Sequence, residues 1–149
     1  MDWIPHLTVA AIIESNQRFL LIEEQSEGLI VFNQPAGHWD EGETLIEAVI
    51  RETLEESAWH FNPEAIVGLY QYTSPANLTY LRICFCGQPV SHDPHRPLDV
   101  NISRALWLSR EEIIQLPNLR SPMVLHCIDD YLKGIRYPLS LISLIPSPI

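Results

Sequence analysis

Cysteine is scarce in this sequence of 149 residues. The three cysteines are an odd number and lack the paired spacing of zinc ligands, which argues against a zinc site. Cys84 and Cys86 are two residues apart in an apolar run, so they share one face of a strand. We expect these two and Cys127 to be buried free thiols, as suits a reducing cytoplasm.

Basic residues are also scarce: 9 Lys and Arg stand against 19 Asp and Glu, which gives a net charge of −10. This excess of negative charge argues against a nucleic-acid polymer or an anionic membrane as partner. No apolar run approaches the ~20 residues that span a bilayer, and residues 1–5 lack the features of a signal peptide. We expect a cytoplasmic protein, monomeric or homodimeric, with a single domain over residues 1–149.

The acidic residues are concentrated between residues 37 and 56, where Arg51 is the only base. The acids of this stretch are Asp40, Glu41, Glu43, Glu47, Glu52, Glu55 and Glu56. Its second half is typical of a helix, because Thr44 and Glu47 form a capping box and no Gly or Pro follows until Pro63. Apolar residues recur there at helical spacing: Leu45, Ile46, Val49 and Ile50.

Glu52, Glu55 and Glu56 occupy positions i, i+3 and i+4 of this helix, so their carboxylates share one face. Three like charges so close together destabilise a helix unless something offsets their repulsion. A hard divalent cation does so, because Mg²⁺ and Mn²⁺ take oxygen ligands and Mg²⁺ commonly shares its shell with substrate phosphates. In isolation, the same E-x-x-E-E is more typical of a solvated acidic helix face.

The residues around this triplet match a longer pattern. Gly37, Glu43, Arg51-Glu52 and Glu55-Glu56 have the spacing of the Nudix box, G-x5-E-x7-R-E-U-x-E-E-x-G-U, in which U is a bulky aliphatic residue. The sequence therefore resembles the Nudix hydrolase family, and the fixed charged positions and the leading glycine all match.

Two positions depart from the box. Thr53 replaces an aliphatic residue, and we expect its hydroxyl to bond the carbonyl one turn back in the helix. Ala58 replaces the glycine at the C-terminal cap, where a positive φ costs alanine on the order of 1 kcal/mol. Neither departure removes a proposed metal ligand.

The resemblance implies a hydrolase that depends on Mg²⁺, or alternatively Mn²⁺. The residues it assigns to the metal are the Gly37 carbonyl, Glu52, Glu55 and Glu56, and it implies that Glu43 pairs with Arg51 to support the site. Any of the three helix glutamates could take the proton of the attacking water, and we assign that role to Glu52. In some relatives the base lies on a later loop, for which Asp93 and Asp99 are candidates here, although solvated loop acids are the simpler interpretation.

Periodicity predicts strands over residues 6–14, 18–23, 29–32, 65–72, 80–86 and 105–108. Helices are predicted over 110–115 and 123–133, besides the box helix. Residues 33–37 are expected to form a tight turn, Asn62-Pro63 a break, residues 87–101 a loop, and the apolar tail after Tyr137 to pack on the domain or on a partner subunit. This order predicts an α/β/α sandwich in which the box helix packs on a mixed sheet, in agreement with the Nudix fold.

Residues 33–38, 118–122 and 134–139 resemble the NudJ-type phosphatases within the family. The resemblance implies hydrolysis of a phosphoanhydride in a nucleoside di- or triphosphate, or in a pyrimidine pyrophosphate, with release of phosphate. The alternatives are another nucleoside diphosphate derivative, such as a sugar nucleotide or dinucleoside polyphosphate, or a domain that senses nucleotides without catalysis. Candidate substrate contacts are Trp39, Tyr70, Tyr72 and Arg82, for which packing is the competing interpretation.

Overall fold

The structure, a computed structural model, describes residues 2–148 and contains seven strands, three α-helices and one 3₁₀ turn in that range. In chain order the elements are β1 (His6–Ser15), β2 (Arg18–Ser26), β3 (Leu29–Asn33), β4 (Ala36–His38), α1 (Leu45–Ser57), β5 (Trp59–Thr73), β6 (Thr79–His92), β7 (Ile102–Leu108), α2 (Arg110–Ile114), α3 (Met123–Leu132) and the 3₁₀ turn (Leu139–Leu141). The first two predicted strands, the box helix and the final helix are all present.

Strand β1 is the centre of a mixed sheet with the order β3-β2-β1-β6-β5. It runs parallel to β6 over eight residue pairs and antiparallel to β4 and to the start of β2. Strand β7 pairs with β2 along the edge opposite to the one that pairs with β3. The predicted mixed sheet is therefore confirmed.

The sheet is buried on both faces because the side chains of β1 alternate between two apolar clusters. Val9 and Ala11 pack with Val49 of α1, whereas Ala10 and Ile12 pack on the opposite face, which α3 covers. All three cysteines belong to the apolar cluster that α3 covers. They are buried free thiols, as expected. The arrangement is the predicted α/β/α sandwich.

Strands β5 and β6 extend further than the sequence indicates. The expected break at Asn62-Pro63 lies inside β5, where the register shifts between Pro63 and Ala65. A bulge tolerates proline because the missing N–H removes no regular ladder bond. Residues 87–92, predicted as loop, pair with the start of β5. Residues 36 and 37, predicted as part of a turn, form β4 together with His38.

The box helix begins and ends as its sequence predicts. Thr44 Oγ1 accepts from the Glu47 N–H at 3.1 Å, and Glu47 accepts from the Thr44 N–H at 2.8 Å. The Thr53 hydroxyl donates to the Val49 carbonyl at 2.7 Å, as expected of a buried threonine in a helix. Ala58 caps the helix with φ 62° and donates its N–H to the Leu54 carbonyl at 2.9 Å.

The segment after α3 returns to the sheet. Tyr137 exchanges two backbone hydrogen bonds of 2.8 Å with Ile66 of β5, and Leu139 and Ile142 pack on the α1 side of the core. This confirms that the tail packs on the domain, although Leu144 remains exposed. Across residues 2–148, every helix is too short or too polar to cross a membrane.

The β1–β2 turn yields a stability prediction. Asn16 and Gln17 have φ of 51° and 62°, the signature of a type I′ turn, in which Asn-Gly is the preferred pair. Gln17→Gly should raise the free energy of unfolding by about 0.5–1 kcal/mol, measured by urea denaturation.

Ala58→Gly is the matched comparison, because it relieves a similar positive φ but removes a methyl group that is only 2% exposed. The two effects are each about 0.8–1 kcal/mol and oppose one another, so this variant should change the unfolding free energy by less than about 1 kcal/mol. A gain at Ala58 larger than that at Gln17 would contradict the argument.

Candidate active site

The acidic face of α1 lies against strand β4. Glu56 is 8% exposed, and its Oε1 accepts a 2.8 Å hydrogen bond from the Ala36 N–H of that strand. Burial raises the pKa of Glu56 to about 9, despite the opposing effect of the Ala36 N–H. A charged Glu56 therefore requires a cation nearby.

Glu52 lies directly over Gly37. A Cβ on Gly37 would be 2.2 Å from the Glu52 Cδ, so only glycine lets the carboxylate approach the backbone this closely. Burial raises the pKa of Glu52 to about 7, although Arg51 opposes the shift. The leading glycine of the box thus creates a space that the Glu52 carboxylate fills.

Arg51 connects the helix to the loop before it. Its Nε and Nη2 donate to the two carboxylate oxygens of Glu43 at 3.0 and 2.8 Å, which is the expected pair. Its Nη1 donates to Glu52 at 2.9 Å and to Glu55 at 3.0 Å. These carboxylates raise the pKa of the guanidinium well above its usual value, Glu43 most strongly.

The three glutamates do not converge on one point. Glu52 faces Gly37, Glu55 accepts from Arg51, and Glu56 accepts from β4. Within residues 2–148 no three carboxylate, imidazole or thiol side chains form a preassembled metal centre. The donor set nevertheless fits a hard divalent cation, since Glu52, Glu56 and Gly37 present only oxygen ligands along one wall.

That wall belongs to a cavity of about 520 Å³. Its lining residues are Thr8, Glu24, Asn33, Ala36, Gly37, His38, Asp40, Glu52, Glu56, Tyr72, Ser74, Pro75, Tyr80, Arg82, Arg120, Ser121 and Met123. The lining thus combines two carboxylates of α1, Glu52 and Glu56, with Tyr72 and Tyr80 of the β5–β6 hairpin. The volume lies within the range of roughly 300–1,000 Å³ that is typical of small-molecule sites.

The structure brings only two of the four predicted substrate contacts to this cavity, Tyr72 and Arg82. Tyr70 lies two residues before Tyr72 on β5. Its hydroxyl donates to Asp130 of α3 at 2.8 Å, beside a separate hollow of about 350 Å³. The Trp39 indole N–H donates to the Glu43 carbonyl at 2.7 Å, which holds the ring outside the cavity lining. Tyr70 and Trp39 are thus occupied by packing and loop contacts.

The two loop acids considered as alternative bases also lie outside the lining. Asp99 is the nearer one: its N–H donates to the Glu55 carbonyl at 3.0 Å, and burial and the Glu55 charge raise the pKa of its carboxyl group. Asp93 instead accepts from the His95 N–H in a turn.

Sequence reasoning missed several lining residues. Tyr80 is one of them, and its position two residues before Arg82 on an alternating strand was a usable signal for a shared face. The Tyr80 ring stacks on His6, and Nδ1 of His6 lies 3.1 Å from Nε2 of His38. Burial and the neighbouring His6 lower the pKa of His38. No local signal marked His38 as part of the cavity.

Comparisons with known proteins give consistent matches to one family. The sequence model of a protein family, described as NUDIX domain, matches residues 4–126 of this chain. Phosphatase NudJ of Escherichia coli strain K12 is 40% identical over 139 residues, which are 93% of this chain and 91% of that protein. A NUDIX hydrolase structure from Nitrosomonas europaea is 46% identical with a TM-score of 0.92, over 95% of this chain and 98% of that one.

A more distant neighbour is the NUDIX domain of Shewanella oneidensis NrtR, a structure described as complexed with ADP ribose. It is 20% identical with a TM-score of 0.73, and the match covers 88% of each chain, so it supports the fold alone. The domain match and the close relatives, together with a box whose Glu52 and Glu56 line the cavity, show that the chain belongs to the NUDIX family of hydrolases.

Proposed function

We propose that this hydrolase cleaves a phosphoanhydride in a nucleoside di- or triphosphate, or in a pyrimidine pyrophosphate, and releases phosphate. The observation that carries the proposal is the cavity itself, whose lining combines two helix carboxylates, Glu52 and Glu56, with Arg82 and two tyrosines. The similarity to the NudJ phosphatase over most of both chains supports the same reaction.

NUDIX hydrolases generally use divalent metals such as Mg²⁺, with Mn²⁺ as an alternative. In this chain Glu52, Glu56 and the Gly37 carbonyl would hold the ion at the cavity wall, and Glu55 would add Oε2, since Arg51 takes its Oε1. When bound there, a divalent ion would supply positive charge to the phosphoryl oxygens and a lowered pKa of coordinated water. The buried carboxylates, in turn, gain the cation that their ionised forms require.

The protein residues then have distinct roles. Glu52 takes the proton of the attacking water, because its carboxylate faces the cavity over Gly37 and is not bonded to β4. Arg51 positions Glu52 and Glu55 through hydrogen bonds of about 3 Å, and Glu43 fixes Arg51 in turn. Tyr72 provides an aromatic surface in the same cavity, which suits stacking on a base.

Product analysis tests the proposed reaction directly. The protein is incubated with nucleoside di- and triphosphates, a sugar nucleotide and a pyrimidine pyrophosphate, with Mg²⁺ and separately with a chelator. Metal-dependent orthophosphate from phosphate-terminated substrates is the expected result. Turnover of the sugar nucleotide alone would overturn the substrate assignment, and tight binding without any turnover would favour a sensing domain.

Glu56→Gln should reduce kcat by at least ~100-fold, because it removes the charge of a proposed metal ligand. The amide oxygen of glutamine still accepts from the Ala36 N–H, so the fold should be retained, as circular dichroism would check. Glu111→Gln, an exposed glutamate on α2, is the matched control and should leave kcat unchanged. Near-normal turnover in the Glu56 variant would remove this residue from the mechanism.

Mg²⁺ should also stabilise the protein without any substrate. Ligand linkage predicts a gain of about 2.7 kcal/mol in unfolding free energy when the ion is at 100 times its Kd. Thermal denaturation with and without Mg²⁺ should show this gain in the wild type and in Glu111→Gln, but a much smaller one in Glu56→Gln. An equal shift in all three proteins would place the ion elsewhere.

A further inference from the structure

Arg82 is a buried cation in the wall of the cavity. It lies on β6 with its side chain 3% exposed. Its Nη1 donates to Gln34 Oε1 at 2.8 Å and its Nη2 to Asn33 Oδ1 at 3.0 Å. Within residues 2–148, the Arg82 Nε has no hydrogen-bond partner.

Arg82 differs in its partners from four other arginines of the chain, since it contacts Gln34, Asn33 and, at 3.9 Å, the Cys127 sulfur. Arg51, Arg104, Arg110 and Arg120 each form an ion pair with at least one carboxylate. Among the described residues, Arg82 has no carboxylate within 4.0 Å, and both of its oxygen partners are neutral amides. A buried charge without a counter-charge is costly, so the fold leaves a place for an anion.

The amides also hold the guanidinium in place. Gln34 is 1% exposed, and its Nε2 donates to the Val124 carbonyl in the first turn of α3 at 2.7 Å. Its Oε1 is therefore fixed toward Arg82 before any ligand arrives. A carboxylate at either amide position would hold Arg82 equally well but would cancel its charge. The amide partners fix the geometry and preserve the charge.

The strand register gives the separation between the backbone that carries Arg82 and the backbone at Gly37, over which Glu52 lies. Arg82 pairs with Thr8 of β1, and Thr8 pairs with His38 of β4, next to Gly37. Two strand spacings separate the backbones of β6 and β4 by about 10 Å. The side chain of Arg82 reaches Asn33, which is three residues before the Ala36 N–H that donates to Glu56.

We propose that Arg82 binds the free terminal phosphate of the substrate, and that the enzyme thereby selects anhydrides with an unesterified end. This inference rests on the proposed hydrolase function and adds the part of the substrate that is recognised. Guanidinium and phosphate form strong, charge-assisted hydrogen bonds, and the buried site increases their strength. Asn33 and Gln34 act as positioning residues through Arg82.

ADP and ADP-ribose are the diagnostic pair, because they share the adenosine and the anhydride and differ in whether the second phosphate is esterified. We expect the wild type to favour ADP in kcat/KM. Arg82→Gln should lower kcat/KM for ADP by about 10- to 100-fold, as is typical when a charged hydrogen bond is lost, with less than about a threefold change for ADP-ribose. Arg104→Gln, at an exposed ion pair on β7, is the matched control and should leave both values unchanged.

Asn33→Asp provides a second test that keeps Arg82 and changes only charge. The new carboxylate has the shape of the amide and faces the same guanidinium, so it supplies the missing counter-charge. The variant should fold at least as well as the wild type, yet lose the preference for ADP over ADP-ribose. A structural role for Arg82 predicts the opposite, an unchanged preference, because the contact becomes stronger. This variant decides the question if Arg82→Gln does not fold.

A binding measurement distinguishes a failure of this inference from a failure of the proposed function. Calorimetry with ADP and ADP-ribose in a chelator should show the same preference in the wild type and its loss in Asn33→Asp, whether or not turnover occurs. An equal loss of affinity for both ligands in both variants would overturn the inference. So would a change in affinity that depends on the base, when ADP is compared with UDP. Absence of turnover with any substrate would overturn only the proposed reaction.

Discussion

The hydrogen bonds of Arg51 hold the site together. One guanidinium contacts Glu43 in the loop and Glu52 and Glu55 on the helix, and its Nη2 also reaches the His38 carbonyl at 3.1 Å. Without it, the acidic face of α1 would repel itself and the loop would lose its attachment. Because Arg51 remains charged at any physiological pH, this attachment persists while the carboxylates around it gain or lose protons.

Charge is distributed unevenly along the cavity, and the distribution suits a phosphorylated ligand. Beside Glu52 and Glu56 the cavity suits a cation, whereas beside Arg82 it suits an anion. A metal-bound phosphate chain satisfies both requirements at once. The favourable energy of binding would then come largely from charges that are buried and unbalanced in the empty protein.

Local signals made much of this structure predictable. The box helix depends on contacts within a few residues, such as Thr44 with Glu47, so its start and its Ala58 cap follow from the sequence. The full length of β6 does not, because residues 87–92 are strand only through their pairing with the start of β5. A distant partner supplies the hydrogen bonds, which makes irregular, proline-containing sequence extended.

The contents of the cavity were harder to predict for the same reason. Tyr70 and Tyr72 share one face of β5, and no feature of the sequence tells them apart. The docking of α3 separates them, since Asp130 accepts from the Tyr70 hydroxyl while Tyr72 lines the cavity. The contact of Arg82 with Gln34 likewise joins residues that are 48 positions apart.

The pairing of Tyr137 with Ile66 has a consequence for the outer edge of the sheet. Strand β5 is the last strand in the order, and it runs for 15 residues. Such an edge is a template for strand addition and aggregation unless it is interrupted or covered. The bulges of β5 and the returning tail together interrupt it, so the C-terminal segment limits strand addition along this edge.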